Sequence, residues 1–172
     1  MSRREALWAA GAAAQERPDR LPDTVLGVRA PVLPGMDAVE EMVADVWSTG
    51  LSPDCHPVQF VRDYLDNVGA IRIGALPTLE DGQKVVVGGV VTHRQRPATA
   101  SGITFINLED ETGMLNVVCS PGLWLRFRRV ARTSNAMLIR GKLELVEGVT
   151  NLVAEHLAPL TLPVRAPSRD FR

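Results

Sequence analysis

Three pairs of side chains have the types and spacing suited to holding a polyanion. Arg94 and Arg96 stand two apart in a polar stretch, Phe105 and Asn107 in an apolar one, and Arg140 and Lys142 in a third. A spacing of two puts both members on one face of an extended strand. Cations that track phosphates, with apolar or aromatic groups on which bases stack, are what single-stranded nucleic acid needs. A second basic set, Arg126, Arg128, Arg129 and Arg132, has the density of a helix surface. Blander roles stand beside each: barrel packing for Phe105, a solvated loop for Arg94 and Arg96, an exposed strand face for Arg140 and Lys142. For the four helix arginines the bland role is a solvated face, against contact with duplex DNA or another domain.

Other chemistries find less support. Glu109-Asp110-Glu111 is acidic enough for a metal site or an acid/base pair, but neighbours in a tight turn point in different directions. His56, His93 and His156 are scattered, as are Cys55 and Cys119, with no zinc or disulfide spacing. No glycine-rich loop matches a phosphate cradle. The expectation is therefore no catalytic residue, no metal and no cofactor held by this chain itself.

Charge is unevenly placed. Between Gly82 and Leu143 nine basic residues face three acidic ones, 9 − 3 = +6, so the remainder carries −7 within a net −1. A near-neutral total hides a basic segment, the footprint of a polyanion binder. With 45% hydrophobic and 23% charged residues the composition is globular, and 5% aromatic content argues against a large stacking surface. No apolar run approaches the ~18 residues of a membrane span, so no membrane partner is expected. Arg3-Arg4 before Ala6-Leu7-Trp8 superficially resembles a targeting signal, but Glu5 interrupts it. Ser2 and Glu5 fit a capping box, so residues 2–14 are predicted as a buried helix.

The elements that position these residues follow from pattern. Gln15 to Pro34 holds four prolines and reads as a linker. Asp37 and Glu40 cap a helix whose Val39, Met42, Val43, Val46 and Trp47 share a face. His56-Pro57 opens another, with Phe60, Val61, Tyr64, Leu65 and Val68 as its stripe and Gly69 as a left-handed stop. Near residue 80 the rhythm becomes strand-like. Residues 85–91 form a first strand bent at Gly88-Gly89, and a loop runs from Arg94 to Gly102. Strands follow over Ile103–Leu108 and Met114–Cys119, then one helix opened by Ser120-Pro121 with Leu123, Phe127 and Val130 inward. Strict alternation over 137–146, a turn at Glu147-Gly148 and a strand over 149–157 complete the set. Three strands, a helix and a hairpin are the order of the OB-fold, a five-stranded Greek-key barrel. The fold class is α+β, mainly β: a helical region with a Pro-rich linker over 1–79, the OB barrel over 80–160, and a flexible tail over 161–172. By alternation Phe105 and Asn107 share one face of the second strand, and Thr104, Ile106 and Leu108 face the core.

In order along the chain, three pieces resemble the bacterial DNA polymerase III alpha-subunit family, in its error-prone branch. They are Ser2-Arg3-Arg4-Glu5-Ala6-Leu7-Trp8, Thr49 to Pro57 with its G-x-x-x-S-x-H-P-like run, and Gly89 to Pro97 followed by Leu108-Glu109-Asp110-Glu111-Thr112-Gly113. Cys119 to Trp124 adds to the likeness. The resemblance implies a C-terminal accessory portion of a translesion polymerase that holds single-stranded template DNA. Its implied partners are the parent's other domains, mutasome proteins and through them the sliding clamp, in the cytoplasm at the nucleoid. The palm carboxylates, with the Mg2+ the parent would use, belong upstream and are not in this chain. A protein-interaction module without nucleic-acid contact is the alternative expectation.

Overall fold

The computed structural model describes residues 3–13, 35–37, 40–42, 44, 56–163 and 169–171. The chain divides into two compact units, Met1–Asp37 and Ala38–Arg172. In the first, helix α1 spans Arg3–Ala13. It is not the buried helix expected: Leu7 and Trp8 are 76% and 48% exposed. Alanines and Gly11 occupy most other positions, so no continuous apolar stripe exists to bury. The Ser2 cap, the Gln15–Pro34 linker and most of the helix expected after Asp37 lie outside the described residues.

The second unit begins, among described elements, with a 3-10 turn, Pro57–Val61, running into α2, Arg62–Asn67. His56 opens it: its Nδ1 accepts from the Val58 amide at 3.2 Å, while Gln59 Oε1 accepts from the His56 amide at 3.2 Å. Gly69 stops it at φ 72°. A second 3-10 turn, Ile73–Thr78, leads to the barrel. These pieces are not a separate region ending near residue 80. Val58, Leu65 and Ala70 pack with Val90, Ala136 and Leu160 in a core outside the barrel. Gly88 makes room for this, since a Cβ there would sit 2.4 Å from Leu65 Cδ2.

The barrel strands are β1 (Lys84–Gln95), β2 (Thr104–Asp110), β3 (Gly113–Cys119), β4 (Ala136–Val146) and β5 (Val149–Pro159). Antiparallel β1–β2, β2–β3, β4–β5 and β1–β4 pairs, with a parallel β3–β5 pair, close the ring. Closure depends on β1 serving two partners, β4 along Lys84–Val90 and β2 along Val90–Gln95. The expected bulge lies between Val91 and His93, beyond the glycine pair. Gly89 instead permits close crossing: a Cβ would stand 2.6 Å from the Glu109 carbonyl oxygen. Val87, Val91, Ile106, Leu108, Leu115, Val117, Ile139, Leu143, Leu152 and Leu157 fill the interior. The β4–β5 turn is of the mirror-image kind, with Glu147 at φ 51° and Gly148 at 81°.

Between β3 and β4 the single expected helix is divided at Phe127 into α3 (Pro121–Arg126) and α4 (Arg128–Thr133). Ser120 Oγ caps α3 by accepting the Leu123 amide at 3.3 Å. Leu123, Phe127 and Val130 pack on the barrel core, as their spacing requires. The tail also differs from the flexible segment expected. Arg169–Phe171 form β6, parallel to His93–Gln95. β1 outruns β4, whose pairing ends at Val90–Ala136, and that leaves an open edge for the tail.

Candidate nucleic-acid interface

The pairing registers assemble two outward rows across the barrel. Phe105 stands opposite Gln95 and Val118, Val118 opposite Val153, and Val153 opposite Lys142. One row therefore runs Gln95, Phe105, Val118, Val153, Lys142: apolar in the middle, with a cation at one end. The other runs His93, Asn107, Asn116, Asn151, Glu144. Asn116 Nδ2 donates to Asn151 Oδ1 at 3.0 Å, which orients both amides. Thr104, Ile106 and Leu108 are buried while Phe105 and Asn107 are half-exposed, as their alternation requires. Val118, Val153, Asn116 and Asn151 went unnoticed in the sequence. The alternation of β3 against Leu115, Val117 and Cys119 was the signal that pointed to the first and third.

Not every expected residue joins these rows. Arg96 is exposed one residue beyond the Gln95–Phe105 pair, at the mouth of the β1–β2 loop. Arg94 requires a correction: it is 6% exposed, in a strand that continues through Gln95 where a loop was expected. Its Nε donates to the Ala131 carbonyl at 2.7 Å and Nη2 to the Ser134 carbonyl. A guanidinium fits there because the end of α4 presents carbonyls with no helical partner. Arg94 is thus an anchor for α4. Arg140 is exposed but pairs across to His156 and Val86, away from Phe105. Arg126, Arg128, Arg129 and Arg132 are exposed on α3 and α4.

The chain matches a family model described as an OB-fold nucleic acid binding domain over residues 85–160. Over its whole length it is 55% identical to an error-prone DNA polymerase of Mycolicibacterium paratuberculosis and 57% identical to that of Mycobacterium tuberculosis, strain H37Rv. In both cases it covers 16% of the relative. The chain is homologous to the error-prone DNA polymerases. It spans about one sixth of the length of these curated relatives. Among solved structures, asparaginyl-tRNA synthetase from Pyrococcus horikoshii is similar at TM-score 0.41 and 20% identity, over 49% of this chain and 21% of that one.

The acidic run that resembles the error-prone polymerases, Glu109-Asp110-Glu111-Thr112-Gly113, has a structural task. Asp110 is 3% exposed. Its Oδ1 accepts from the Thr112 amide at 2.7 Å, the Thr112 hydroxyl at 2.6 Å and the Gly113 amide at 3.1 Å. Its Oδ2 accepts from the Ile73 amide at 2.9 Å and from Arg62 at 3.3 Å. Arg62 also reaches Glu111 at 2.6 Å. Burial opposes the Arg62 cation, but the hydrogen bond and charge of Glu111, with Asp110 and Asp66, raise its pKa overall. The run locks the β2–β3 turn to the segment before the barrel. Among described residues no cluster of His, Cys, Asp or Glu could hold a metal ion. Burial pushes the Cys119 thiol up to about 12, so it stays protonated in the core.

His56 adds a pH dependence. Burial lowers its pKa from 6.5, outweighing the nearby Glu109, Glu111 and Asp110 carboxylates, which raise it. A depressed folded-state pKa means the unfolded chain binds the proton more readily, so stability is full above 6.5 and declines as pH falls below it. The cap needs the same protonation state, because Nδ1 must be unprotonated to accept the Val58 amide. Urea midpoints should fall between neutral pH and mildly acidic pH. His56→Asn, which keeps a capping acceptor without a titrating group, should flatten that dependence. An identical pH response in both proteins would assign it elsewhere.

Proposed function

We propose that this chain is an accessory, strand-holding portion of an error-prone DNA polymerase, binding single-stranded template across the outer face of β1, β2, β3 and β5. The observation that carries this is the register row Gln95–Phe105–Val118–Val153–Lys142 beside the amide row Asn107–Asn116–Asn151. An apolar track for base stacking, flanked by Arg96 and Lys142 for phosphates and by oriented amides for base edges, is the combination single strands require. The strand 2–3 face is also where OB barrels bind oligonucleotides. In this setting nucleotidyl transfer on damaged template, and the Mg2+ it uses, belong to other parts of the polymerase. The family likeness supports partners among those other domains and the mutasome proteins that reach the sliding clamp, at the nucleoid.

Fluorescence anisotropy with a labelled oligothymidylate tests the reading. Binding should be modest and should weaken steeply with salt, because each neutralised phosphate contributes a slope of about −0.7 on single strands. Phe105→Ala should weaken it roughly tenfold, since stacking is worth about 1–3 kcal/mol per base. Absence of salt-sensitive binding at low ionic strength defeats the proposal. A protein-docking role is the second reading, favoured by exposed Met114, Val146 and Val149 at 69%, 52% and 56%. A pulldown that survives Arg96→Ala but fails on deletion of the tail supports it.

A further inference from the structure

The described cations of the barrel fall into two groups. Arg62, Arg72 and Lys84 are each paired with a carboxylate, and Arg94 is spent on helix carbonyls. Arg96, Arg126, Arg128, Arg129, Arg132, Arg140 and Lys142 make no ion pair among the described residues, and all seven are exposed; Arg126, Arg128, Arg129 and Arg132 are the four on α3 and α4. From Gly113 through Leu143 the chain contains no acidic residue, so nothing within that span can neutralise them. Arg128 and Arg132 stand four apart on α4, a like-charge arrangement that costs a helix a few tenths of a kcal/mol.

The patch is continuous with the strand-holding face. A Cβ on Gly102 would lie 3.4 Å from Pro121 Cγ and 3.5 Å from Arg96 Nη2, so the start of α3 and Arg96 flank the same glycine. Arg94 fixes the end of α4 to β1 two residues before Arg96. On the far side, Phe127 meets the His156 ring edge-on at 4.8 Å, and His156 stands opposite Arg140. These contacts bring Arg96 near the start of α3 and Arg140 near Phe127, so a group of six exposed cations (Arg96, Arg126, Arg128, Arg129, Arg132, Arg140) lies on or beside the two helices. It differs from the β-sheet face in what it lacks. Trp124 and Phe127 turn toward the core, and Arg126 covers the Phe127 ring at 5.4 Å, so the helices present phosphate-binding groups without exposed aromatic rings. Such a surface suits a backbone whose bases are already paired and hidden.

We propose that α3 and α4 are a clamp for the phosphates of double-stranded DNA. The domain then straddles a single-strand to duplex boundary, with unpaired template on the sheet face and the duplex on the arginines. The straddling rests on the strand-holding reading above; the clamp itself does not.

The 172-residue chain would be titrated against an oligothymidylate, a blunt duplex and a partial duplex with a single-stranded extension. The partial duplex should bind most tightly. Arg128→Ala/Arg129→Ala/Arg132→Ala should weaken the partial duplex roughly tenfold or more at low salt. Its logarithmic salt slope should become shallower by about 2–3, at about 0.9 per lost contact. The oligothymidylate should be unchanged within about twofold, and Arg129→Ala alone should give about a third of the slope change. Equal losses on single-stranded and partly duplex probes would overturn the clamp, placing the arginines on the single-strand path. An unchanged partial-duplex affinity would overturn it as well. Arginine-dependent binding to the blunt duplex with none to the oligothymidylate would uphold the clamp while removing the strand-holding reading. Thermal melts of the variants should match the parent or rise slightly, since among the described residues these side chains make no ion pair and alanine removes the like-charge spacing on α4.

Discussion

Asp110→Ala should lower the free energy of unfolding by about 3 kcal/mol, the low end for breaking a buried ion pair. The readout is a fall in urea midpoint at constant slope. Asp110 is where the barrel and the preceding segment are joined, and its carboxylate accepts from the amides of Ile73, Thr112 and Gly113, the Thr112 hydroxyl and Arg62. Alanine leaves the Ile73 amide buried and unmet, at about 1–3 kcal/mol. The turn amides sit nearer solvent and are partly recovered by water. Arg62 keeps Glu111 at 2.6 Å, which is why the loss stays near the bottom of the range. Arg62→Met should cost less, about 1.5–2 kcal/mol, because Asp110 keeps its four other donors and Nε and Nη1 of Arg62 are already buried without hydrogen-bond partners. Equal losses in the two variants would mean that the ion pair, not the amide set, holds the turn.

The same residue shows where sequence reading succeeds and where it stops. That a tight turn lies between the second and third strands was legible, but Asp110 closes β2 ahead of it, and Asp110 and Glu111, expected to diverge, meet on the one Arg62 guanidinium. That Asp110 reaches back 37 residues to the Ile73 amide was not, because no periodicity encodes a hydrogen bond between distant segments. Barrel topology was legible because β2, β3 and β4 alternate with period two, β1 is a β-branched run, and the turns carry glycines. The outward direction of Phe105 and Asn107 followed from the same period. Arg94 was misread for the opposite reason: two arginines near a proline look like a solvated loop, and only the docking of α4 gives one of them buried carbonyls to satisfy. The β6 edge pairing was equally hidden, since an open edge exists only once β4 stops short of His93. What pattern alone misses is tertiary: which residues from β3 and β5 complete the rows begun by β1 and β2.

Gly141→Ala should be as damaging as any core truncation, about 3 kcal/mol or more, whereas Gly88→Ala should cost about 1–2 kcal/mol, although both positions are tight. A Cβ on Gly141 would sit 2.3 Å from the Val153 carbonyl oxygen and 3.0 Å from Leu152 Cγ, at the register shift where β4 and β5 bend to close the barrel. The obstacle is backbone already committed to the sheet, so relief requires the strands to part. A Cβ on Gly88 would sit 2.4 Å from Leu65 Cδ2, the far end of a side chain that can turn. Double variants expose the difference. Leu65→Ala alone removes a fully buried side chain from the outer core and should cost about 2–5 kcal/mol. Combined with Gly88→Ala, the total should fall below the sum of the two, because the new methyl enters the space Leu65 vacates. Leu152→Ala should give Gly141→Ala no such relief, since shortening a side chain does not move a carbonyl. Full rescue there would mean that the strand crossing has more slack than a 2.3 Å approach permits, and that β4 and β5 are not the rigid support on which the Val153–Lys142 end of the interface depends.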